Sequence, residues 1–80
     1  MDRADIIKRL EPVMQDVFDD DSLQYRDDLS ASDVEEWDSL SHIRFIVAVE
    51  KTFRVRFSSS EMEGFNSVGD LVDAVVKKTA

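Results

Sequence analysis

No cysteine occurs among the 80 residues, which removes a disulfide framework, a thiolate metal site and a thiol nucleophile at once. Any thiol chemistry in which the chain takes part must be brought in on another group. A single histidine is too little for a metal centre of the usual zinc kind without thiolates. No apolar run approaches the ~20 residues that a membrane span needs, and Met1-Asp2-Arg3 leads into no signal-type apolar region. The expectation is a soluble, cytoplasmic protein. The G-x-S-x-G elbow of serine hydrolases is missing, and no segment repeats or is low in complexity.

Eighty residues make one domain, 1–80, with one core worth about 3–5 kcal/mol net and no room for a deep pocket. The net charge of -8 is unevenly placed. Residues 19–38 hold nine acids against one base, Arg26, while the remainder balances at nine against nine. So acidic a stretch repels phosphate backbones and argues against nucleic acid as a partner. In part it is also an ordinary solvated loop that confers solubility. Asp19-Asp20-Asp21 is not a calcium loop of the EF-hand kind, because the sixth and twelfth positions counted from Asp19 hold Gln24 and Ser30 rather than glycine and glutamate.

The chain is organised around Trp37-Asp38-Ser39-Leu40 and the amphipathic segment that it opens, running to Phe53. Asp38 suits a helix N-cap, accepting from the amide of Leu40 or Ser41 at the positive end of the helix dipole. Ser39 then falls in the first turn. At 100° per residue His42, Phe45, Ile46, Val49 and Phe53 share a core face. Leu40, Ile43 and Val47 form a second apolar strip, more than one buried face needs, and Ser41, Arg44, Lys51 and Thr52 stay in water.

Elsewhere, Ile6, Leu10, Val13 and Val17, flanked by Ile7, Met14 and Phe18, predict a first helix over residues 2–18 with Asp2 and Asp5 at its start. Pro12 inside it removes an amide donor and crowds the carbonyl of Lys8, at a cost of roughly 3 kcal/mol unless the helix bends, so a kink or restart is expected. Residues 19–38 read as a long ordered loop pegged by Leu23, Tyr25, Leu29 and Val34. The alternation in residues 53–57 has no second strand to pair with and reads as an extended connector. Two overlapping S-x-x-E boxes, Ser58 with Glu61 and Ser60 with Glu63, predict a short helix ending near Gly64. Ser67 with Asp70 is a similar device before a last helix carrying Val68, Leu71, Val72, Val75 and Val76, with Lys77 and Lys78 at its C-terminal end. The fold class is all-α: a small four-helix bundle of three longer helices and one short one, with a long loop between the first two.

"DSL" opening an amphipathic helix, followed by "AVEKTFRVRF" and "FNSVGDLVDAVV" in register, resembles the acyl carrier protein family across residues 5–78. The resemblance implies a non-catalytic carrier. The serine of its DSL motif, here Ser39, bears 4'-phosphopantetheine, whose thiol holds acyl groups as thioesters for partner enzymes of fatty-acid, polyketide or related lipid biosynthesis. It implies a phosphopantetheinyl transferase and acyl-loading and acyl-processing enzymes as partners, and a monomer. The matching helix-two positions are the enzyme-docking surface, which assigns partner recognition to Asp38, Leu40, Ile43, Arg44, Val47 and Lys51. Familiar fatty-acid carriers are acidic along that helix; here Arg44 and Lys51 stand there, with Arg54 and Arg56 beyond, which points to a specialised pathway. Peptidyl carriers have glycines and a histidine before the serine, and Glu35-Glu36-Trp37-Asp38 has neither.

The rival readings are plain. Ser39 is at the least a helix-start serine, and the chain could be an unmodified acidic interaction module that docks through Leu40, Ile43 and Val47. Ser39 and His42, three apart, invite a hydrolase reading, but no oxyanion donors or enclosed pocket accompany them. His42 is expected on the core face and Trp37 as a core anchor.

Overall fold

Asp2 starts the first helix: its carboxylate accepts from the amide of Asp5 at 2.9 Å, and α1 then runs Arg3–Val17. The computed structural model describes residues 2–79; Met1 and Ala80, the two ends of the expected domain, lie outside them. The α1 helix continues through Pro12 without restarting. Pro12 and Lys8 are both exposed, so the carbonyl that loses its helical donor lies on the solvent side, where water replaces the bond. The buried stripe of α1 is Ile6, Leu10 and Met14, continued by its C-cap Phe18, with Ile7, Val13 and Val17 only half-buried. This shifts the expected centre of the face from Val13 and Val17 to Met14 and Phe18, because a strict i+4 row packs the longer side chains inward.

The α2 helix is Ser39–Phe53 and α3 is Ser59–Gly64. The last helix, α4, is Val68–Thr79. Among the described residues there is no strand, so the bundle of three longer helices and one short one is the observed architecture. The α1 helix packs against α2 and α4, and the core between them is filled by Phe45, Ile46, Val49 and Phe53 of α2 and Val68, Leu71, Val72 and Val75 of α4. The connector alternates as its sequence does: Phe53, Val55 and Phe57 are buried while Arg54 and Arg56 face water.

Helix ends follow the capping chemistry with two adjustments. The Ser58–Glu61 box forms, Ser58 N–H donating to Glu61 Oε1 at 2.9 Å and Glu61 N–H to Ser58 Oγ at 3.2 Å, and the overlapping Ser60–Glu63 pair does not start α3. Before α4 the amide of Asp70 reaches Ser67 Oγ at 3.4 Å, but the Asp70 carboxylate accepts from Asn66 N–H at 3.0 Å, one residue earlier than a regular box. The α2 helix ends on Arg54 in the left-handed region (φ 56°, ψ 48°), with the Val55 amide donating to the Glu50 carbonyl at 3.1 Å.

The loop between α1 and α2 is ordered by specific bonds and contains one 3-10 turn, Ala31–Asp33. Leu29 and Val34 are buried, and Leu23 and Tyr25 half-buried. Its middle is fastened to the start of α4: Val68 N–H donates to the Leu29 carbonyl at 2.8 Å and Gly69 N–H to the Asp27 carbonyl at 2.9 Å. Part of its acidity is also answered. Asp27 takes Arg3 at 2.9 Å and the hydroxyl of Tyr25, while Arg26 pairs with Asp28 at 3.2 Å and Asp33 at 3.5 Å.

Candidate functional site

Ser39 is the first residue of α2 and is exposed. It is put there by Asp38, whose extended backbone (φ -103°, ψ -172°) turns the chain into the helix and whose Oδ1 accepts from the Ser41 amide at 2.8 Å. The Ser41 backbone and hydroxyl hold the Asp38 carboxyl below the usual carboxylate range, since a carboxylate that accepts such bonds is favoured in its charged form. The Ser39 hydroxyl makes no hydrogen bond among the described residues. An exposed hydroxyl beside the open amides of a helix start is accessible to modification, and a phosphodiester placed on it meets the positive end of the dipole.

One turn on, His42 is half-buried and its Nδ1 accepts from Trp37 Nε1–H at 3.1 Å, not from Ser39. No nucleophile–base pair forms. Trp37 is held in turn by Phe18, with ring centroids 4.9 Å apart, and by the edge of Phe45 at 5.6 Å, so it is the anchor its area implies. Beside Ser39 an open cleft runs between the start of α2 (Asp38, Ser39, Ile43) and α3 with its C-cap (Met62, Glu63, Phe65). A smaller cavity of about 90 Å³ shares Ala31, Trp37, His42 and Phe65 with it and is lined further by Phe45, Asn66, Ser67, Val68 and Leu71.

The outer face of α2 carries Leu40, Ile43 and Val47 at 67%, 57% and 41% exposure, the large apolar side chains left in water among the described residues. Arg44 and Lys51 are exposed beside them. Asp38, Ser39 and Ile43 border the cleft, whereas Val47 and Lys51 border a second groove with Arg54 and Arg56 at the far end of the helix. Leu40 and Arg44 line neither. Arg44, Lys51, Arg54 and Arg56 form no ion pair among the described residues. Met62 and Ala31, which help complete the cleft, are not signalled by any motif, and Phe65, though it opens the FNSVGD string, is not marked there as a site residue; they reach the cleft from α3 and the first loop through the tertiary fold.

The family model described as "Phosphopantetheine attachment site" matches residues 5–75. This chain belongs to the acyl carrier protein family. A curated acyl carrier protein from Acidothermus cellulolyticus is 28% identical over 79 residues, covering 99% of this chain and 94% of its own length. The solution structure of a holo acyl carrier protein from Geobacter metallireducens superposes with a TM-score of 0.87 at 40% identity, covering 92% of this chain and 85% of its own. The chain is thus a carrier and not an enzyme, and its prosthetic group is 4'-phosphopantetheine. The residues present fit that group: an unbonded, exposed hydroxyl at a helix N-terminus borders an open cleft, which shares Ala31, Trp37, His42 and Phe65 with a smaller, mainly apolar cavity. When bound, the group supplies the thiol that the cysteine-free chain lacks and carries the acyl chain as a thioester. Among the described residues no helix is long and apolar enough to cross a membrane.

Proposed function

We propose that Ser39 is the attachment point of 4'-phosphopantetheine and that the chain shuttles acyl thioesters among enzymes of fatty-acid, polyketide or related lipid biosynthesis, as a monomer in the cytoplasm. The observation that carries this reading is the Ser39 hydroxyl, exposed and without a protein partner at the start of α2, in the register of the DSL motif. The protein's part is positioning: Asp38 fixes the helix start, the cleft receives the arm, and the exposed strip receives the partner.

Partner recognition falls to Asp38, Leu40, Ile43, Arg44, Val47 and Lys51. The strip would lose its water against an apolar groove, which sets complex lifetime, while the unpaired bases beside it set encounter rate and choice. Bases without intramolecular partners favour a docking enzyme with acids at the groove rim, in a pathway more specialised than general fatty-acid synthesis. The transferase that installs the arm must meet the same helix start. An unmodified module docking through the same strip is disfavoured by the family's prosthetic group.

Incubating the chain with coenzyme A, magnesium and a phosphopantetheinyl transferase tests the reading. The parent should gain the mass of the arm, and Ser39→Ala should gain none while keeping its helical circular dichroism. Full-yield transfer to Ser39→Ala would place the attachment elsewhere.

A further inference from the structure

Ser39 lies inside three bonds that close over the start of α2. The Asp38 carboxylate accepts from the Ser41 amide at 2.8 Å, and the Asp38 carbonyl from the His42 amide at 2.9 Å. Both belong to any capped helix start. The third is added by this sequence: Trp37 Nε1–H donates to His42 Nδ1 at 3.1 Å, joining the residue before the cap to the first turn through side chains. The two rings lie within 20° of parallel with centroids 6.0 Å apart, as a bond in the plane of both requires. Trp37 is wedged in turn against Phe18, the C-cap of α1, and against Phe45 of α2. The pair therefore pins the junction of the first loop and α2 to the core. Ser39 depends on that, because its hydroxyl is exposed and makes no hydrogen bond among the described residues. Backbone alone places its oxygen.

The third bond is also conditional. An indole N–H can only donate, so Nδ1 must keep its lone pair and the neutral imidazole carries its proton on Nε2. A second proton would go to Nδ1 and set donor against donor. It would also put positive charge in the first turn of a helix, where the dipole opposes it. Histidine is the side chain that ordinarily changes charge between about pH 5 and 8. The ionisable groups that border the cleft with His42 are Asp38, at the start of its own helix, and Glu63 of α3, and no other lines the smaller cavity with it. Both are carboxylates, a class that titrates below that window.

We propose that Trp37 and His42 are a positioning pair that holds the Ser39 hydroxyl for attachment of the arm, and that they do so only while the imidazole is neutral. The inference rests on the reading of Ser39 as the attachment point. In that reaction the Ser39 oxygen bonds to the phosphorus of coenzyme A that bears pantetheine, adenosine bisphosphate leaves, and the hydroxyl proton passes to a base. The pair acts through the backbone between its two members, so its loss lowers kcat, whereas the exposed strip of α2 governs KM.

The test is the rate of mass gain of the unmodified carrier with coenzyme A, magnesium and a phosphopantetheinyl transferase, with folding of each variant checked by circular dichroism. His42→Phe keeps a ring and removes the acceptor; Trp37→Phe keeps the anchor and removes the donor. At about pH 8, each should lower kcat roughly three- to tenfold with KM unchanged. The double variant should be no slower than either single one, since both remove the same bond. His42→Asn offers an acceptor oxygen near the place of Nδ1 with no proton to gain, and should recover most of the rate. At about pH 5.5 the parent should fall roughly three- to tenfold behind His42→Asn measured with the same enzyme. Independently of loading, the NMR resonance of the Trp37 indole N–H should move across that range in the parent and stay in place in His42→Asn. Parental rates in both phenylalanine variants overturn the proposal, as do losses that multiply in the double variant or appear in KM. So do a His42→Asn carrier as slow as His42→Phe, a parent-to-His42→Asn ratio that ignores pH, and an indole resonance that does not move in the parent. Full-yield transfer to Ser39→Ala overturns the attachment reading together with this one, whereas no transfer to Ser39→Ala beside indifferent pair variants overturns this one alone.

Discussion

Gly69 donates its amide to the carbonyl of Asp27 at 2.9 Å, and a Cβ built on Gly69 would stand 2.7 Å from that same oxygen. The missing side chain is what lets the acidic loop lie against the start of α4. Gly69→Ala should therefore force backbone from backbone and cost about 1–3 kcal/mol, read as a lower midpoint in urea unfolding with an unchanged slope. An unshifted midpoint would mean that the loop moves aside without loss.

Arg54 holds an unusual backbone of its own, exposed at φ 56° where glycine is the usual helix terminator. Arg54→Gly should raise stability by about 0.5–1 kcal/mol, as the relief of left-handed strain outweighs the added freedom of the unfolded chain. Arg54→Val, branched at Cβ, should lower it. Thermal melts of the two variants ought to move in opposite directions.

Acid should loosen the same clasp that joins α1 to the loop. The Tyr25 hydroxyl and then Arg3 hold the Asp27 carboxyl below the usual range, and Arg3 also reaches Asp73 at 3.1 Å. A carboxyl whose folded value is depressed adds stability that is present above its unfolded value of about 3.9 and lost as pH falls through the folded one. Melting temperature should thus fall below about pH 4, and Asp27→Asn should be less stable at neutral pH and flatter across that window. A parallel pH profile in the variant would show that other carboxylates, such as Asp38 and Glu61, carry the acid response.

Partner choice can be separated from partner affinity on α2. Ile43→Ala removes exposed apolar area that a docked enzyme would bury and should weaken transfer to every partner, on the order of tenfold if Ile43 is an anchor. Arg44→Glu reverses a rim charge and should slow encounter with the cognate enzyme several-fold, in a salt-dependent way, while improving use by general fatty-acid enzymes. Steady-state kinetics of both variants with one acyl group and one enzyme of each kind gives the answer. If Arg44→Glu matches the parent with both enzymes, the mixed charge of this face does not select.

What could be read in the sequence was what repeats locally. The span of α2 follows from the Asp38 cap and the 100° spacing of Phe45, Ile46, Val49 and Phe53, and the exposure of Leu40, Ile43 and Val47 from the same wheel. The register of α1 was off by a residue because three further apolar side chains, Ile7, Val13 and Val17, flank its stripe of four, and only packing decides that Met14 rather than Val13 goes in. Links between distant segments had no local signal. The bonds of Val68 and Gly69 to Leu29 and Asp27 are backbone to backbone across about forty residues, and Arg3 answers an acid that charge counting left uncompensated. The stop at Arg54 was hidden for another reason: arginine is a poor left-handed residue, so the end of α2 came from the loss of period rather than from a terminator. The cavity was likewise invisible, since Phe65 and Ala31 come to it from elements that share no pattern with α2.

Trp37 is the only indole in the chain, and it lines the small cavity with its N–H committed to His42. Excited at the red edge, where tyrosine does not absorb, the protein therefore emits from a single indole whose surroundings change when the His42 bond breaks. Any event at the start of α2 that breaks the His42 bond or changes the packing of that ring should therefore shift the emission, and it can be followed in real time on the unlabelled protein.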